Sequence, residues 1–253
     1  MNGVLNIIKP PSMSSAKAVA IVKRLVNNKA GHAGTLDPEA CGVLPIMVGR
    51  ATKLFDYISQ DRKTYIAEIA FGQATDTQDA QGKVILEDNR IPSLDSLKKS
   101  ASGLTGEIMQ VPPMFSALKL GGERLYDIAR KGIDLELSAR PCMIYSIDVL
   151  GQVRADSFML KIDCGKGTYI RTLCYDIAKN IGYLAHMRFL LRVKVGAFDI
   201  ENALSLDELE KFDKTDLEKS ILKPDSFLGH IKRLDVKEEA KKLYQKNKIK
   251  LTK

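Results

Sequence analysis

The order of the strand and helix patterns constrains the fold of this chain most. A strand is predicted for TYIAEIAFG (64–72), because its Tyr, Ala, Ile and Phe residues alternate on one side. Two further strands, joined by a polar turn, are predicted for IYSIDVL (144–150) and SFMLKIDCG (157–165). Apolar residues recur at helical spacing in 16–26 and 168–182. Because these patterns are mixed without a regular strand–helix–strand alternation, they favour an α+β fold with an antiparallel or mixed sheet.

The two helical segments are amphipathic. The first, AKAVAIVKRLV (16–26), has valines at helical intervals and Ser14 or Ser15 available as its N-cap. The second, TYIRTLCYDIAKNIG (168–182), has a continuous apolar stripe of Ile170, Leu173, Cys174, Ile177, Ala178 and Ile181. The stretch from about 73 to 140 is rich in Gly and Pro and predicts an insertion or lid with one short helix.

The composition is that of a globular protein with a sizeable core. The 253 residues are 45% hydrophobic and 28% charged, which fits one large domain with or without a small appendage. No apolar run approaches the roughly 20 residues that span a membrane. The N-terminal MNGVLNIIKPPSMSS lacks the pattern of a secretion signal. We therefore expect a cytoplasmic protein without a membrane partner.

The sequence predicts neither a metal site nor a nucleotide cofactor. The four cysteines include no CxxC pair and the three histidines are scattered, so a zinc site has no support. The thiols are therefore interpreted as small core residues. DTQDAQG (76–82) resembles a calcium loop, but Gln81 stands where that loop needs Gly. The sequence has no Walker A loop and no GxGxxG turn that opens a helix.

The basic charge is concentrated at the C-terminal end. The net charge is +8. Residues 231–253 hold nine Lys or Arg against three Asp or Glu, so they carry +6 of it. Such a patch indicates an anionic partner, most often a nucleic acid, although a solvated terminal helix has the same composition.

One loop singles out a carboxylate. In GHAGTLDPEACGVLPIMVGRATK (31–53), Asp37 lies among small and stiff residues, with His32 before it and Lys53 after it. On its own the tripeptide Leu-Asp-Pro is more typical of a turn in which Asp caps the backbone before Pro.

This loop resembles the TruB family of pseudouridine synthases, and so do five further segments in the family's order. They cover roughly residues 3 to 200 and are LNIIKPPSMSS, RKTYIAEIAFGQATDTQDAQG, VPPMFSALKLGGERLYDIARKG, KGTYIRTLCYDIA and AHMRFLLRVKVG. Taken together the motifs are highly specific, although each alone is only moderately so.

The resemblance implies a fold, a reaction and a domain organisation. It implies a pseudouridine synthase fold with a central, mostly antiparallel or mixed sheet, flanking helices and an inserted RNA-gripping segment at about 73–140. The catalytic domain is expected at 1–228, and 229–253 resembles only the start of a PUA-type RNA-binding domain. The implied reaction isomerises the T-loop uridine of tRNA, conventionally position 55, without metal or organic cofactor. The implied partner is the T-arm stem-loop, bound by a monomer.

The resemblance also implies three catalytic residues. Asp37 matches the catalytic Asp, which attacks or stabilises the electron-poor ribose while the base is free. Whether it adds to the sugar, adds to the base or removes a sugar proton stays open. Arg171 matches the Arg that pairs with it, and Tyr65 matches a Tyr that lies against the flipped base and is a candidate for the final proton transfer. The local pattern alone favours an exposed helix residue for Arg171 and supports a half-buried strand residue for Tyr65.

The remaining matched residues are expected to bind the RNA. His32 is expected to help displace the target base, Tyr169 and Leu190 to line its pocket, and Asp79 to lie beside the site without an assigned role. Phosphate contacts are predicted for Lys53, Lys119, Arg124 and Lys131, each of which is also compatible with ordinary solvated charge. Leu191 replaces an Arg that is frequent in the family, which leaves Arg192 and Lys194 as possible RNA contacts in this segment.

Two alternatives to a tRNA enzyme stay open at this point. A pseudouridine synthase for another RNA, such as ribosomal RNA, would share the same motifs. A non-catalytic RNA-binding or chaperone protein would keep the fold, although it would have no use for the carboxylate of Asp37.

Overall fold

The computed structural model describes residues 1–59, 62–116, 118–133 and 135–228. The predicted basic extension at 229–253 lies outside these residues. Among the residues described, no helix is both long enough and apolar enough to cross a membrane.

Strands and helices are mixed along the chain, as the sequence pattern predicts. The strands are β1 (Gly3–Lys9), β2 (Ala30–His32), β3 (Cys41–Val48), β4 (Lys63–Phe71), β5 (Gln73–Thr75), β6 (Val84–Glu87), β7 (Gly106–Gln110), β8 (Lys119–Leu120), β9 (Glu123–Arg124), β10 (Arg140–Arg154), β11 (Ser157–Cys164), β12 (Ala185–Val195), β13 (Phe198–Asp199) and β14 (Leu204–Ser205). The α-helices are α1 (Ser15–Val26), α2 (Phe55–Ser59), α3 (Leu94–Gly103), α4 (Leu125–Arg130), α5 (Ile170–Lys179), α6 (Leu206–Lys211) and α7 (Lys214–Ser220). Short 3-10 helices occur at Gly49–Leu54, Ile200–Asn202 and Pro224–Ser226.

A ten-stranded sheet forms the frame of the molecule. Its main order is β14-β1-β3-β12-β4-β11-β10-β7, with β2 added on β3 and β13 on β12. Most neighbours are antiparallel, whereas the pairs β1–β14 and β3–β12 are parallel. The predicted mixed sheet of an α+β fold is therefore confirmed.

Apolar side chains cover both faces of this sheet at the β1–β3 end. Val4 and Leu5 are neighbours in β1, but they belong to different hydrophobic clusters, since successive strand residues point to opposite faces. The larger cluster includes α1, α3 and α5, and the smaller one includes Val43, Phe198 and Phe227.

The predicted alternation and amphipathicity are confirmed in the elements that matter for the site. In β4, Tyr65, Ala67, Ile69 and Phe71 all face the larger cluster. In α5 the predicted stripe is buried from Ile170 to Ala178, and the Cys142, Cys164 and Cys174 thiols are buried as predicted.

Helix α1 also agrees with its prediction. It begins after Ser14, whose hydroxyl accepts a hydrogen bond from the backbone N–H of Lys17. Val22 and Val26 are buried, but Ala18 takes the buried place predicted for Val19, which is only half-buried.

The stretch 73–140 is not uniform. Leu97 of α3 lies in the main core, and β7 is hydrogen-bonded to β10 at the edge of the main sheet. The β5–β6 hairpin and the β8–β9 hairpin form separate two-stranded sheets. Leu97 and β7 therefore belong to the main core and sheet, and the extent of an RNA-gripping insertion stays a prediction.

Candidate active site

The loop between β2 and β3 carries Asp37 and is tied down on both sides of it. The hydroxyl of Ser15 donates to the carbonyl of Leu36 and accepts from its N–H, both at 2.9 Å. The ammonium group of Lys9 donates to the carbonyl of Pro38 at 2.9 Å. Leu36 and Ala40 are buried, whereas the Asp37 side chain is 40% exposed. The loop therefore presents the Asp37 carboxylate to solvent from a fixed backbone.

Lys9 is the last residue of β1 and is fully buried beneath this loop. Besides Pro38 it donates to the carbonyls of Pro10 and Met13, both at 2.7 Å. Burial lowers the pKa of Lys9 to about 8. The nearby acidic groups raise this pKa, and the largest of these opposing effects comes from Cys41. The Lys-Pro motif thus supports the Asp37 loop from below.

Asp37 forms an ion pair with Arg171, as the sequence predicts. The Arg171 Nε lies 2.9 Å from Asp37 Oδ2. The guanidinium is only 4% exposed and donates to the carbonyls of Thr77 at 3.0 Å and Phe115 at 2.9 Å. Its Nη1 also lies 3.6 Å from Asp79 Oδ2. Arg171 is therefore not the exposed helix residue that the local pattern alone favoured.

Asp79 is held in place independently of this pair. It accepts hydrogen bonds at Oδ1 from the Thr77 hydroxyl, at 2.6 Å, and from the Gln81 N–H, at 3.0 Å. Its second oxygen faces Arg171. The guanidinium thus lies near two carboxylates, and the contact gives Asp79 a partner that the sequence did not supply.

Tyr65 lies in β4 with its ring in the main core and is 7% exposed. Burial raises the pKa of its hydroxyl, and the charge and hydrogen bond of Arg192 partly offset this effect. The charge of Asp37 raises the same pKa, so both lie within electrostatic range of each other. At neutral pH the hydroxyl therefore carries its proton.

The two other predicted pocket residues lie on neighbouring elements. Tyr169 is half-buried immediately before α5, and its backbone N–H and C=O both hydrogen-bond to the side-chain amide of Gln110, at 2.8 and 3.1 Å. Burial raises the pKa of the Tyr169 hydroxyl. Leu190 is buried in β12, next to β4 in the sheet. Gln110 is a supporting residue that the sequence patterns did not reveal.

His32 lies at the end of β2 and is half-buried. Its Nδ1 accepts a hydrogen bond from the N–H of Gly34 at 3.3 Å, which leaves the ring proton on Nε2. Burial lowers the pKa of His32, and the charge of Arg192 lowers it further. The ring is therefore neutral at pH 7 and has a free N–H donor.

The predicted phosphate contacts are less closely tied to the site. Lys53 is exposed in the 3-10 helix Gly49–Leu54, which the length of β3 separates from the Asp37 loop. Lys131 forms an exposed ion pair with Glu123. The side chains of Lys119 and Arg124 lie outside what the structure describes. These four contacts stay predictions.

The expectation that Arg192 contacts RNA is wrong. Its side chain is 1% exposed, and its guanidinium donates to three backbone carbonyls. A buried cation that is bonded to the protein backbone is not available to phosphate. Lys194, two residues along β12, is half-exposed and lies 3.7 Å from Asp199, so its RNA contact stays a prediction.

The groups brought together suit acid–base and nucleophilic chemistry. They comprise an exposed carboxylate beside a fixed cation, a protonated phenol and a neutral imidazole. Within the described part of the chain, no cluster of His, Cys, Asp or Glu has the arrangement of a metal site.

Comparison with known proteins identifies the class. A family model described as "TruB family pseudouridylate synthase (N terminal domain)" matches residues 23–170, and one described as "tRNA pseudouridylate synthase B C-terminal domain" matches residues 171–228. The chain is 41% identical over 253 residues to the tRNA pseudouridine synthase B of Clostridium tetani (strain Massachusetts / E88), covering 99% of this chain and 86% of that protein. It is 39% identical to the protein of the same name from Alkaliphilus oremlandii (strain OhILAs), covering 94% and 79% of the two.

Solved structures agree with this class. The fold is similar to that of a chain in the "Crystal Structure of a Cbf5-Nop10-Gar1 Complex", with a TM-score of 0.69 and 27% identity over 90% of this chain and 62% of that chain. The protein thus spans about three fifths of that solved chain. Fold and sequence together define a pseudouridine synthase, an isomerase that acts on uridine in RNA. Within this class, the chain belongs to the TruB family.

Proposed function

We propose that the protein converts the T-loop uridine of tRNA, conventionally position 55, to pseudouridine. The observation that carries the proposal is the ion pair of Asp37 with Arg171, since it holds an exposed carboxylate in one orientation. The near full-length similarity to proteins named tRNA pseudouridine synthase B supports tRNA as the RNA class. The positive net charge of +8 suits a polyanionic substrate.

The reaction rearranges one nucleotide without adding atoms. The bond between the ribose C1′ and N1 of uracil breaks, the base turns, and C1′ bonds to C5 instead. The proton on C5 then leaves, and N1 of the product carries a proton. Asp37 is the group that acts on the ribose or the base, and Arg171 stabilises its negative charge throughout.

The uridine must leave its stack before Asp37 can reach it. This step costs a few kcal/mol, and stacking on an aromatic ring returns ~1–3 kcal/mol. Tyr65 and Tyr169 provide the aromatic surfaces, and Leu190 provides an apolar wall. We assign to the N–H of His32 Nε2 a hydrogen bond to the displaced nucleotide or its neighbours.

Tyr65 is also the proton carrier that we assign to the end of the reaction. Its hydroxyl is protonated at neutral pH, because burial raises its pKa. It therefore acts by relaying a proton within a hydrogen-bonded contact rather than as a free phenolate. The proposed role needs both the ring and the oxygen of this residue.

We further propose that the protein works as a monomer in the cytoplasm and recognises the T-arm stem-loop. The ion pair of Asp37 with Arg171 forms within one chain, so these two residues need no second subunit to meet. The predicted phosphate contacts would bind the stem-loop backbone and fix its register.

One experiment tests the substrate and the chemistry together. The protein is incubated with an unmodified tRNA transcript and with the same transcript carrying cytidine at position 55. Pseudouridine is then mapped by a chemical label specific for it. We expect a single T-loop product in the first transcript and none in the second. Product at several positions, or only in ribosomal RNA fragments, would contradict the tRNA proposal, and no product in any RNA would indicate a binding protein.

A further inference from the structure

Arg192 lies at the point where three strands of the site meet. Strand β12 is the neighbour of both β3 and β4. In the register of these pairs, Arg192 is opposite Tyr65 of β4 and opposite Gly42 of β3. It is therefore adjacent in the sheet to one proposed catalytic residue and to the strand that follows the Asp37 loop.

Only glycine fits at the second of these positions. Gly42 has φ +106°, and a Cβ added there would lie 2.2 Å from the backbone oxygen of Arg192. The backbones of β3 and β12 are therefore in direct contact, which fixes the position of Arg192 relative to the Asp37 loop.

The Arg192 side chain binds that loop on both sides of Asp37. Before Asp37, Nη2 donates to the carbonyl of Gly34 at 3.1 Å and Nη1 to the carbonyl of Thr35 at 3.3 Å. After it, Nε donates to the carbonyl of Val43 at 2.8 Å. One rigid, planar group thus spans the loop that presents the carboxylate.

Arg192 is also the cross-strand neighbour of Tyr65 in β4. Its charge and a side-chain hydrogen bond lower the pKa of the Tyr65 hydroxyl, against the larger effect of burial. The geometry and the electrostatics therefore connect Arg192 both to the Asp37 loop and to Tyr65.

The charge of Arg192 is costly in this position. Among the described residues its guanidinium forms no ion pair within 4.0 Å, although its side chain is 1% exposed. Burying a charge without a counter-charge is unfavourable. A neutral Gln offers only two N–H donors on one nitrogen, so it could not bond all three carbonyls, whereas the planar five-donor guanidinium can.

We propose that Arg192 is a positioning residue of the reaction, which holds the Asp37 loop and the Tyr65 hydroxyl in a fixed mutual geometry. It touches neither phosphate nor substrate and acts through these two residues. This inference rests on the catalytic roles proposed for Asp37 and Tyr65.

The test is a double-mutant cycle of Arg192→Lys with Tyr65→Phe. Lysine keeps the charge but cannot donate to three carbonyls and a hydroxyl in one plane. Single-turnover rates with excess enzyme are measured on the unmodified tRNA transcript, together with the tRNA dissociation constant and the thermal unfolding of each variant. We expect Arg192→Lys to lower the rate about 10- to 100-fold with binding unchanged within about threefold.

The coupling between the Arg192→Lys and Tyr65→Phe substitutions separates a positioning role of Arg192 from a general structural role. If Arg192 acts through the Tyr65 hydroxyl, Arg192→Lys has a clearly smaller effect on the rate in the Tyr65→Phe background. Equal fold-changes in both backgrounds would overturn the proposal, and so would a loss of tRNA binding that accounts for the whole effect.

Arg188→Lys is the matched control. Arg188 lies in the same strand and is 27% exposed, whereas Arg192 is fully buried, and the partners of Arg188 are Glu68 and Asp156, outside the site. The Arg188→Lys variant should keep the parental rate, although its stability should change about as much as that of Arg192→Lys. Arg192→Gln is made in parallel. If neither Arg192 variant folds while Arg188→Lys does, Arg192 is a folding residue and the proposal is wrong. If the parent itself forms no pseudouridine, it is the proposed function that fails.

Discussion

Replacing Asp37 with Asn should separate chemistry from stability and binding. Asn keeps an acceptor for the Arg171 Nε, which lies 2.9 Å from Asp37 Oδ2, and Arg171 keeps its bonds to the carbonyls of Thr77 and Phe115. Asp79, whose Oδ2 lies 3.6 Å from Arg171 Nη1, still balances the buried charge of Arg171. We therefore expect a loss of only about 1–2 kcal/mol in stability, between the values for exposed and fully buried ion pairs. This corresponds to a fall in Tm of about 2–8 °C.

The same change should abolish turnover. An amide has no negative charge to attack or stabilise the ribose, so we expect the rate to fall by about 10⁴-fold or more. Binding of tRNA should change only a few-fold, because the phosphate contacts lie elsewhere. Turnover is followed by the release of tritium from RNA labelled at C5 of uridine, and binding is followed by filter retention.

Asp156→Asn provides the control for this variant. The Asp156 side chain is 41% exposed, close to the 40% of Asp37, and it also pairs with an arginine, Arg188. It should lose a similar amount of stability and keep the parental rate. If Asp37→Asn retains more than about a tenth of the parental rate, or if Asp156→Asn loses as much activity, the proposed role of Asp37 is refuted.

Three further predictions concern Tyr65, Lys9 and the C-terminal extension. Tyr65→Phe should bind tRNA almost normally, because the ring remains, but its single-turnover rate should fall by orders of magnitude; a parental rate would mean that another group carries the proton. Burial lowers the pKa of Lys9 from 10.5 to about 8. Between pH 8 and 10.5 the folded chain therefore releases a proton that the unfolded chain keeps, and the free energy of unfolding rises with pH. The rise, at most about 3 kcal/mol, should be absent from Lys9→Met when urea unfolding is measured between pH 8 and 10.5; the same pH dependence of unfolding free energy in both proteins would contradict it. Deleting residues 231–253 removes +6 of the +8 net charge and should leave the T-arm stem-loop reaction intact while it weakens whole-tRNA binding; each lost phosphate contact should reduce the slope of log affinity against log salt by ~0.7–0.9, and an unchanged slope would mean that the extension does not bind RNA.

Local patterns predicted the elements whose burial is periodic. The alternation in β4 and the stripe of α5 each require only neighbours in sequence, and both are confirmed. Strand β3 was not predicted, because Gly42 and Pro45 are typical strand breakers. In the structure Pro45 pairs with Asn6, and Gly42 permits the close approach of β12, so tertiary contacts outweigh the local preference.

Within the site, residue identity was easier to predict than environment. The motifs placed Asp37 and Arg171 together, which the structure confirms. They did not predict that Arg171 is buried, because its partners Thr77 and Phe115 are distant in sequence. Arg192 was misjudged for the same reason, since an arginine in a strand has the same local pattern whether its side chain faces phosphate or backbone carbonyls.

The position of β12 in the sheet has a consequence for biosynthesis. Strands β3 and β4 leave the ribosome long before β12, yet in the finished sheet they face each other only across it. Until translation has passed Val195, β4 therefore lacks its β12 partner and the first residues of β3 are unpaired on that side, since β2 covers only Ile46–Val48. This interval is on the order of ten seconds at ordinary synthesis rates. Unpaired strand edges recruit other chains. The nascent chain is therefore open to such pairing until just before its active site can form.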